Sequence, residues 1–312
     1  MAISPSDSAA APVRANRPLV GIVYMIGGVF VMSVMDAIAK FAVGHVTSIQ
    51  IMGIRSTIVF VLMIGYLAST GQLAQLRTRR PLAHLLRGLA AAGSMWCFFE
   101  SLRALPLATA IAICFAAPLL MTAYSVVLLR ERVGFHRWTA VVVGFAGVGV
   151  IIGPEAADGI VSAGAVLALG AAALYALGMT MVRWLSPTES DVTMIVLQCF
   201  VQMSVGLVGM MLVPGSFDPV PGPAWIAIGV MSVFLIFGQF LSYRAFRLAP
   251  VGAIAPFNYT ELVWAAIIGW FIWGEWPTEH VWYGASIVVA AGLYVIWRER
   301  VRAREAAAAA TA

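Results

Sequence analysis

Ten apolar stretches, most of them long enough to cross a bilayer, constrain this chain more than any other feature. They lie at about residues 19–41, 48–69, 83–104, 106–129, 138–153, 161–184, 192–213, 223–245, 250–273 and 280–297. A membrane-spanning helix needs about 20 residues. Ten such helices take about two-thirds of the 312 residues and leave only short loops and tails. Composition agrees: 62% of residues are hydrophobic and 11% charged, against about 25% charged in soluble domains. A soluble enzyme is excluded first, and disorder, which needs low hydrophobicity, with it. The connections carry turn residues, as at Gly153-Pro154, Pro214-Gly215 and Gly274 to Pro277. Between the third and fourth segments, Arg103 to Pro106 must make a tight reversal; a single kinked helix there would break the count of ten.

The basic residues set the expected orientation. With the N-terminus in the cytoplasm, sixteen of the nineteen Lys and Arg fall inside: Arg14, Arg17, Arg77, Arg79, Arg80, Arg87, Arg130, Arg132, Arg137, Arg183, Arg244, Arg247, Arg298, Arg300, Arg302 and Arg304. Only Lys40, Arg55 and Arg103 fall outside. Both termini are therefore expected on the cytoplasmic side of a bacterial inner membrane. The net charge of +5 belongs with the bilayer, since the arginines sit at the ends of apolar runs, and no nucleic-acid partner is expected. Residues 1–18 read as a flexible cytoplasmic tail, with no short apolar core ahead of a cleavage site.

The chain also repeats itself. A shift of 144 residues lays Arg103 on Arg247, Pro106 on Pro250, Glu131 on Glu275, His136 on His280, Trp138 on Trp282 and Ala146 on Ala290. Any two apolar runs look alike, but matched Arg, Pro, Glu, His and Trp at one offset do not arise that way. Five helices per unit is odd, so the second copy enters the membrane upside down. The expected fold is an all-α membrane protein of ten transmembrane helices in two inverted five-helix repeats. Residues 19–154 and 155–297 form the repeats, and 298–312 a cytoplasmic tail. Inverted repeats are a common architecture of secondary transporters, with the substrate site near the midplane.

Two stretches, SLRALPLATAIAICFAAPLLMTAYSVVLLRERVGFHRW and AFRLAPVGAIAPFNYTELVWAAIIGWFIWGEWPTEHVW, resemble the paired EamA domains of the drug/metabolite transporter superfamily. Each has a Pro-containing turn, an apolar helix, a charged pair element (Arg130-Glu131, Gly274-Glu275) and a Trp opening the last helix. MDAIAKFAVGHVTSIQIMGIRS, ending near Arg55, resembles the family's first hairpin. The resemblance covers about residues 20–297 and implies ten helices, two inverted halves and alternating access. It implies a small-metabolite carrier, of an amino acid, a riboflavin-like compound or a similar polar or aromatic molecule, and no particular substrate.

Charges at membrane depth are costly and mark candidate sites. Asp36 and Lys40 are spaced i, i+4 on the first helix, Glu100 and Arg103 i, i+3 on the third, and Arg55 lies two turns into the second. All five are expected in one layer toward the outer face, either as ion pairs that fasten helix ends or as a gate. Glu261 stands apart. Eleven residues into the ninth segment, it is about 16 Å along a helix, and its repeat mate is the apolar Ala117. It is expected to bind substrate or a proton, or else to be a protonated group satisfied by Gln202, Gln239 or Tyr175. Asn258 and Tyr259 share its neighbourhood. Trp96 and Tyr175 sit deep enough to stack on a planar substrate, although packing explains such aromatics equally well. Trp138, Trp225, Trp276, Trp282 and Trp297 read as interfacial anchors.

No catalytic residue, cofactor motif or metal site is expected. Four scattered histidines and three separate cysteines make no HExxH, CxxC or phosphate loop. The reading is a secondary transporter driven by a gradient or by exchange, with proton coupling and oligomeric state left open. The alternative is a non-transporting multi-spanning scaffold or sensor.

Overall fold

The computed structural model describes residues 18–131, 133–153, 163–249 and 251–311. The tail 1–17 with Arg14 and Arg17, Arg132, Pro154 and Pro250 lie outside the described residues. Among the described residues the chain is helical, with no strand. The helices are α1 (Pro18–Val43), α2 (Ser48–Ser69), α3 (Pro81–Ala104), α4 (Leu107–Cys114), α5 (Ala117–Leu128), α6 (Phe135–Ile152), α7 (Ala163–Leu185), α8 (Asp191–Leu212), α9 (Gly222–Leu248), α10 (Val251–Ile254), α11 (Thr260–Trp273) and α12 (Glu279–Thr311). Among the described residues nine stretches are long and apolar enough to span a membrane, with α4 and α5 together making one of them. The tenth, in α10 and α11, is interrupted. The reversal before α4 is tight: Leu105 takes an extended conformation and Pro106 precedes the new helix.

The fourth and ninth segments are both broken. Proline has no N–H to give the helix ladder and crowds the preceding turn. Pro118 opens α5 just after the break at Phe115 and Ala116, and Pro256 sits in the 3-10 turn Ala255–Tyr259 between α10 and α11. These breaks are repeat mates, because Phe115 shifted by 144 is Tyr259. The two rings meet edge to face with centroids 5.2 Å apart. The interruptions thus face each other across the pseudo-twofold axis.

Packing repeats with the sequence. α1 lies along α9 as α7 lies along α3, and α1 meets α11 as α7 meets α5. Two crossings map onto themselves, α2 on α8 and α6 on α12. Without water to drive them together, helices in a bilayer associate through close van der Waals packing, which small residues permit. A Cβ added at Gly206 would lie 2.5 Å from the backbone N of Gly53, and one at Gly284 would lie 2.5 Å from the Gly147 carbonyl. Backbone therefore touches backbone at both crossings. Gly206→Val should lower thermal stability in detergent by about 1–3 kcal/mol, while Gly229→Val, where nothing lies within 4 Å, should leave it within about 0.5 kcal/mol. Equal melting of the two variants would refute the close crossing.

Candidate functional site

Asp36 on α1, Arg55 on α2 and Cys114 at the end of α4 each lie seven residues in from the end of the bundle opposite both termini, the far end, about 10 Å deep. Asp36 and Arg55 are buried. Their charges act on one another without closing an ion pair within 4.0 Å among the described residues. Arg55 instead gives an N–H to Met95 Sδ at 2.8 Å and lies over the Phe99 ring, 5.8 Å from its centroid. Glu261 reaches this group from the first turn of α11 and comes within interaction range of the Asp36 carboxyl. Cys114 and Tyr175 of α7 also lie within electrostatic reach of Glu261. The centre thus gathers side chains from both halves, and the restart of α11 points a helix N-terminus, favourable to negative charge, at Glu261.

The remaining sequence candidates fall in several places. Tyr175, midway along α7, is 51% exposed and lies within electrostatic reach of Glu261. Asn258 and Tyr259 line a cavity nearer the termini, together with Phe115, Pro118, Ala255 and Gly292. A Cβ on Gly292 would collide with the Tyr259 hydroxyl, so glycine there makes room for the ring. Gln239 on α9 and Trp96 on α3 are exposed and not part of the Asp36–Glu261 group. Gln202 on α8 is buried.

The five charges expected in one layer divide. Asp36 and Arg55 belong to the centre. Lys40 does not bond Asp36; it pairs with Glu275 beyond α11, donates to the Leu105 carbonyl at 3.1 Å and lies over the Trp273 ring. Glu100 and Arg103 pair at 3.2 Å, and Arg103 also donates to the Val46 carbonyl at 2.6 Å. Sequence reasoning missed three features. The first is Asp36 as neighbour of Glu261, which no local spacing signals. The second is Arg87, buried in α3 and donating to the Gln198 side chain and the Met194 carbonyl of α8. The third is the matched ion pair at the termini end, Arg183 with Glu131 at 2.7 Å. Glu131 and Glu275 were visible as repeat mates, and Arg183 lies one residue from the mate of Lys40.

An inverted-repeat bundle with two facing broken helices and a charged centre is the architecture of a secondary transporter. The chain belongs to the EamA-like transporter family, which matches residues 19–153 and again 162–298. It is 28% identical over 300 residues to a riboflavin transporter of Vibrio cholerae, covering 93% of this chain and 97% of that one. It is 28% identical over 288 residues to an S-adenosylmethionine uptake transporter of Rickettsia prowazekii, covering 90% and 93%. It is 28% identical over 276 residues to the pseudopaline exporter CntI of Pseudomonas aeruginosa, covering 87% and 94%. A solved crystal structure shares the fold with a TM-score of 0.59 at 18% identity, over 90% of this chain and 97% of that one. The relatives are named as transporters and none of these as an enzyme.

At the termini end, Glu189 in the turn between α7 and α8 anchors the α2–α3 loop. It accepts from the Arg79 N–H at 3.3 Å and from the Thr78 side chain, and lies 3.4 Å from His84 Nε2. Burial pushes this carboxyl up, but the bonds from Thr78 and Arg79 and the nearby His84 ring outweigh it and hold it below its ordinary value of 4.5. A depressed carboxyl stabilises the fold above its unfolded value and loses that contribution as pH falls through the folded one. Detergent-solubilised protein should therefore lose thermal stability on acidification below pH 4.5, and Glu189→Gln should lose less over the same interval. Identical acid limbs in the two proteins would refute the anchor.

Proposed function

We propose that this chain is a secondary transporter of a small organic metabolite that works by alternating access, with both termini in the cytoplasm and its substrate site around Glu261, Asp36 and Tyr175. The observation that carries the reading is the meeting of Asp36 from one repeat and Glu261 from the other beside two facing helix breaks. Charged groups at such depth mark substrate or ion pathways by default. Broken helices expose backbone groups to a cavity at the midplane of transporters. The carboxyl pair suits a proton or a positively charged or hydrogen-bond-donating substrate group. Tyr175, and Tyr259 with Asn258 toward the termini, supply aromatic and amide contacts of the kind a planar metabolite uses. Lys40, Arg103, Glu100 and Arg55 act as fastening or gating charges in this reading. Relatives named for riboflavin, S-adenosylmethionine and pseudopaline support substrates of metabolite size and favour neither uptake nor export. The driving force is a gradient or exchange, and a coupled proton would use the carboxyl pair.

The test is transport by the purified protein in liposomes, scored over a panel holding riboflavin, S-adenosylmethionine and amino acids, with and without an imposed pH gradient. At least one compound should move faster than in empty liposomes. Glu261→Gln keeps size and one donor, and at matched insertion it should cut the initial rate at least tenfold or abolish its pH dependence. Unchanged rate and pH profile would remove Glu261 from the site. No transport across the panel under either gradient would favour a scaffold or sensor. Reporter fusions at each terminus should both read from the cytoplasmic side of the bacterial inner membrane, and a periplasmic signal from either would overturn the topology.

A further inference from the structure

Two polar fastenings recur at both ends of the bundle, and among the helix contacts that do not recur there is an exception close to them. The Lys40–Glu275 pair at the far end has its counterpart in Arg183–Glu131 at the termini end. The turn between α1 and α2 bonds the α8–α9 loop, through Thr47 to Ser216 Oγ at 3.1 Å and Gln50 to the Asp218 carbonyl at 3.0 Å. Its mate, the turn between α7 and α8, bonds the α2–α3 loop through Glu189 to Arg79 and Thr78. The exception is the contact between the third helix of a repeat and the first. At the far end α1 lies against α3; Arg103 closes onto the Val46 carbonyl just ahead of the Thr47 N-cap, and Lys40 onto the Leu105 carbonyl. The mate of that contact is α7 against α9, and these two helices make no comparable contact among the described residues. Arg247, the mate of Arg103, is exposed, while Arg183 bonds Glu131 and not the Ala249 carbonyl that mirrors Leu105.

We propose that Arg103 and Arg247 are a matched pair of gate residues: Arg103 holds the far end shut in this conformation, and Arg247 shuts the termini end in the opposite one by donating to the carbonyls of the Glu189–Ser190 turn. The sequence is symmetric at these positions, so both contacts are built into one chain. The conformation is not symmetric, so only one is made at a time. Glu189 immediately precedes the Ser190 N-cap as Val46 immediately precedes Thr47, which gives Arg247 the same kind of carbonyl target. The fastenings found at both ends stay made in both conformations, and the α1·α3 and α7·α9 contacts alternate. The inference rests on the alternating-access reading and deepens it.

The experiment needs no substrate. Spin labels replace Ser186 on the turn after α7 and Phe246 on α9, both exposed, in full-length protein whose three cysteines are changed to serine, and the distance between them is measured in liposomes. Arg103→Gln should add a short-distance population, raising its ratio to the long one about tenfold, the range of one charge-assisted hydrogen bond. Arg103→Gln/Arg247→Gln should lose that added population. Arg103→Lys, which keeps a charged donor and guards against a folding defect, should stay close to the parent. An unmoved distribution in Arg103→Gln protein that remains monodisperse would overturn the gate, as would a short population that survives loss of Arg247. If the distances shift as expected while no compound is transported, the gate stands and the transporter reading fails; the converse result separates them the other way.

Discussion

A backbone N–H or C=O in a hydrocarbon layer has no water to bond, so an interrupted helix survives only where protein or a polar cavity covers the break. This constraint organises the molecule. Both breaks, at Phe115 and at Ala255–Tyr259, lie on the axis that relates the repeats, and their aromatic side chains cap one another. Unbroken helices cross around them in close contact, with Gly53 against Gly206 and Gly147 against Gly284. Because α11 restarts mid-bundle, Glu261 stands in a first helical turn rather than on a helix interior. That placement lets a carboxyl sit at depth next to Asp36. The acidic centre is thus a consequence of the breaks and not an independent feature.

The coarse architecture was legible because the bilayer permits so few solutions. Apolar run length marked the helices, and one offset of 144 residues marked the repeat through Arg, Pro, Glu, His and Trp. The prolines behind the breaks were readable less directly. Pro118 and Pro256 are not repeat mates, since Pro118 maps to Leu262 and Pro256 to Ala112, so matching residue by residue hides a shared break made by different residues. Depth arithmetic placed Glu261 well inside, and the same arithmetic left Asp36 in an outer layer. It treats each helix as a straight rod along the membrane normal. A glutamate side chain at a helix break reaches several ångströms beyond its own Cα, and that reach joins the two acids.

Ion pairs were the least legible part. Local spacing offered Asp36 with Lys40 and Glu100 with Arg103. The second pair forms within its helix, but Lys40 takes Glu275, 235 residues away. Spacing within a helix ranks partners by proximity on one surface, whereas a charge at a helix end near a loop has partners from every neighbouring end. The repeat held the missing information, since Glu131 and Glu275 are mates and each meets a basic residue near the end of the other repeat's first helix. The symmetry that located the repeats therefore also predicts contacts when applied to loop residues.

The symmetry also separates what holds the molecule from what can move in it. A contact made at both ends costs the same in either conformation and cannot bias the equilibrium between them. The Lys40–Glu275 and Arg183–Glu131 pairs, the paired turn-to-loop fastenings and the α2·α8 and α6·α12 crossings are of this kind, and together they form a frame. Only a contact present at one end and absent at its mate carries free energy that differs between the two states. α1 on α3, with Arg103 on the Val46 carbonyl, is of that second kind. In the proposed alternation its loss at one end is offset by formation of the α7·α9 contact at the other, which makes the exchange close to isoenergetic. Near-balance of that sort would allow a modest bias, such as one bound ligand or one proton at the Asp36–Glu261 pair, to set which end stands open.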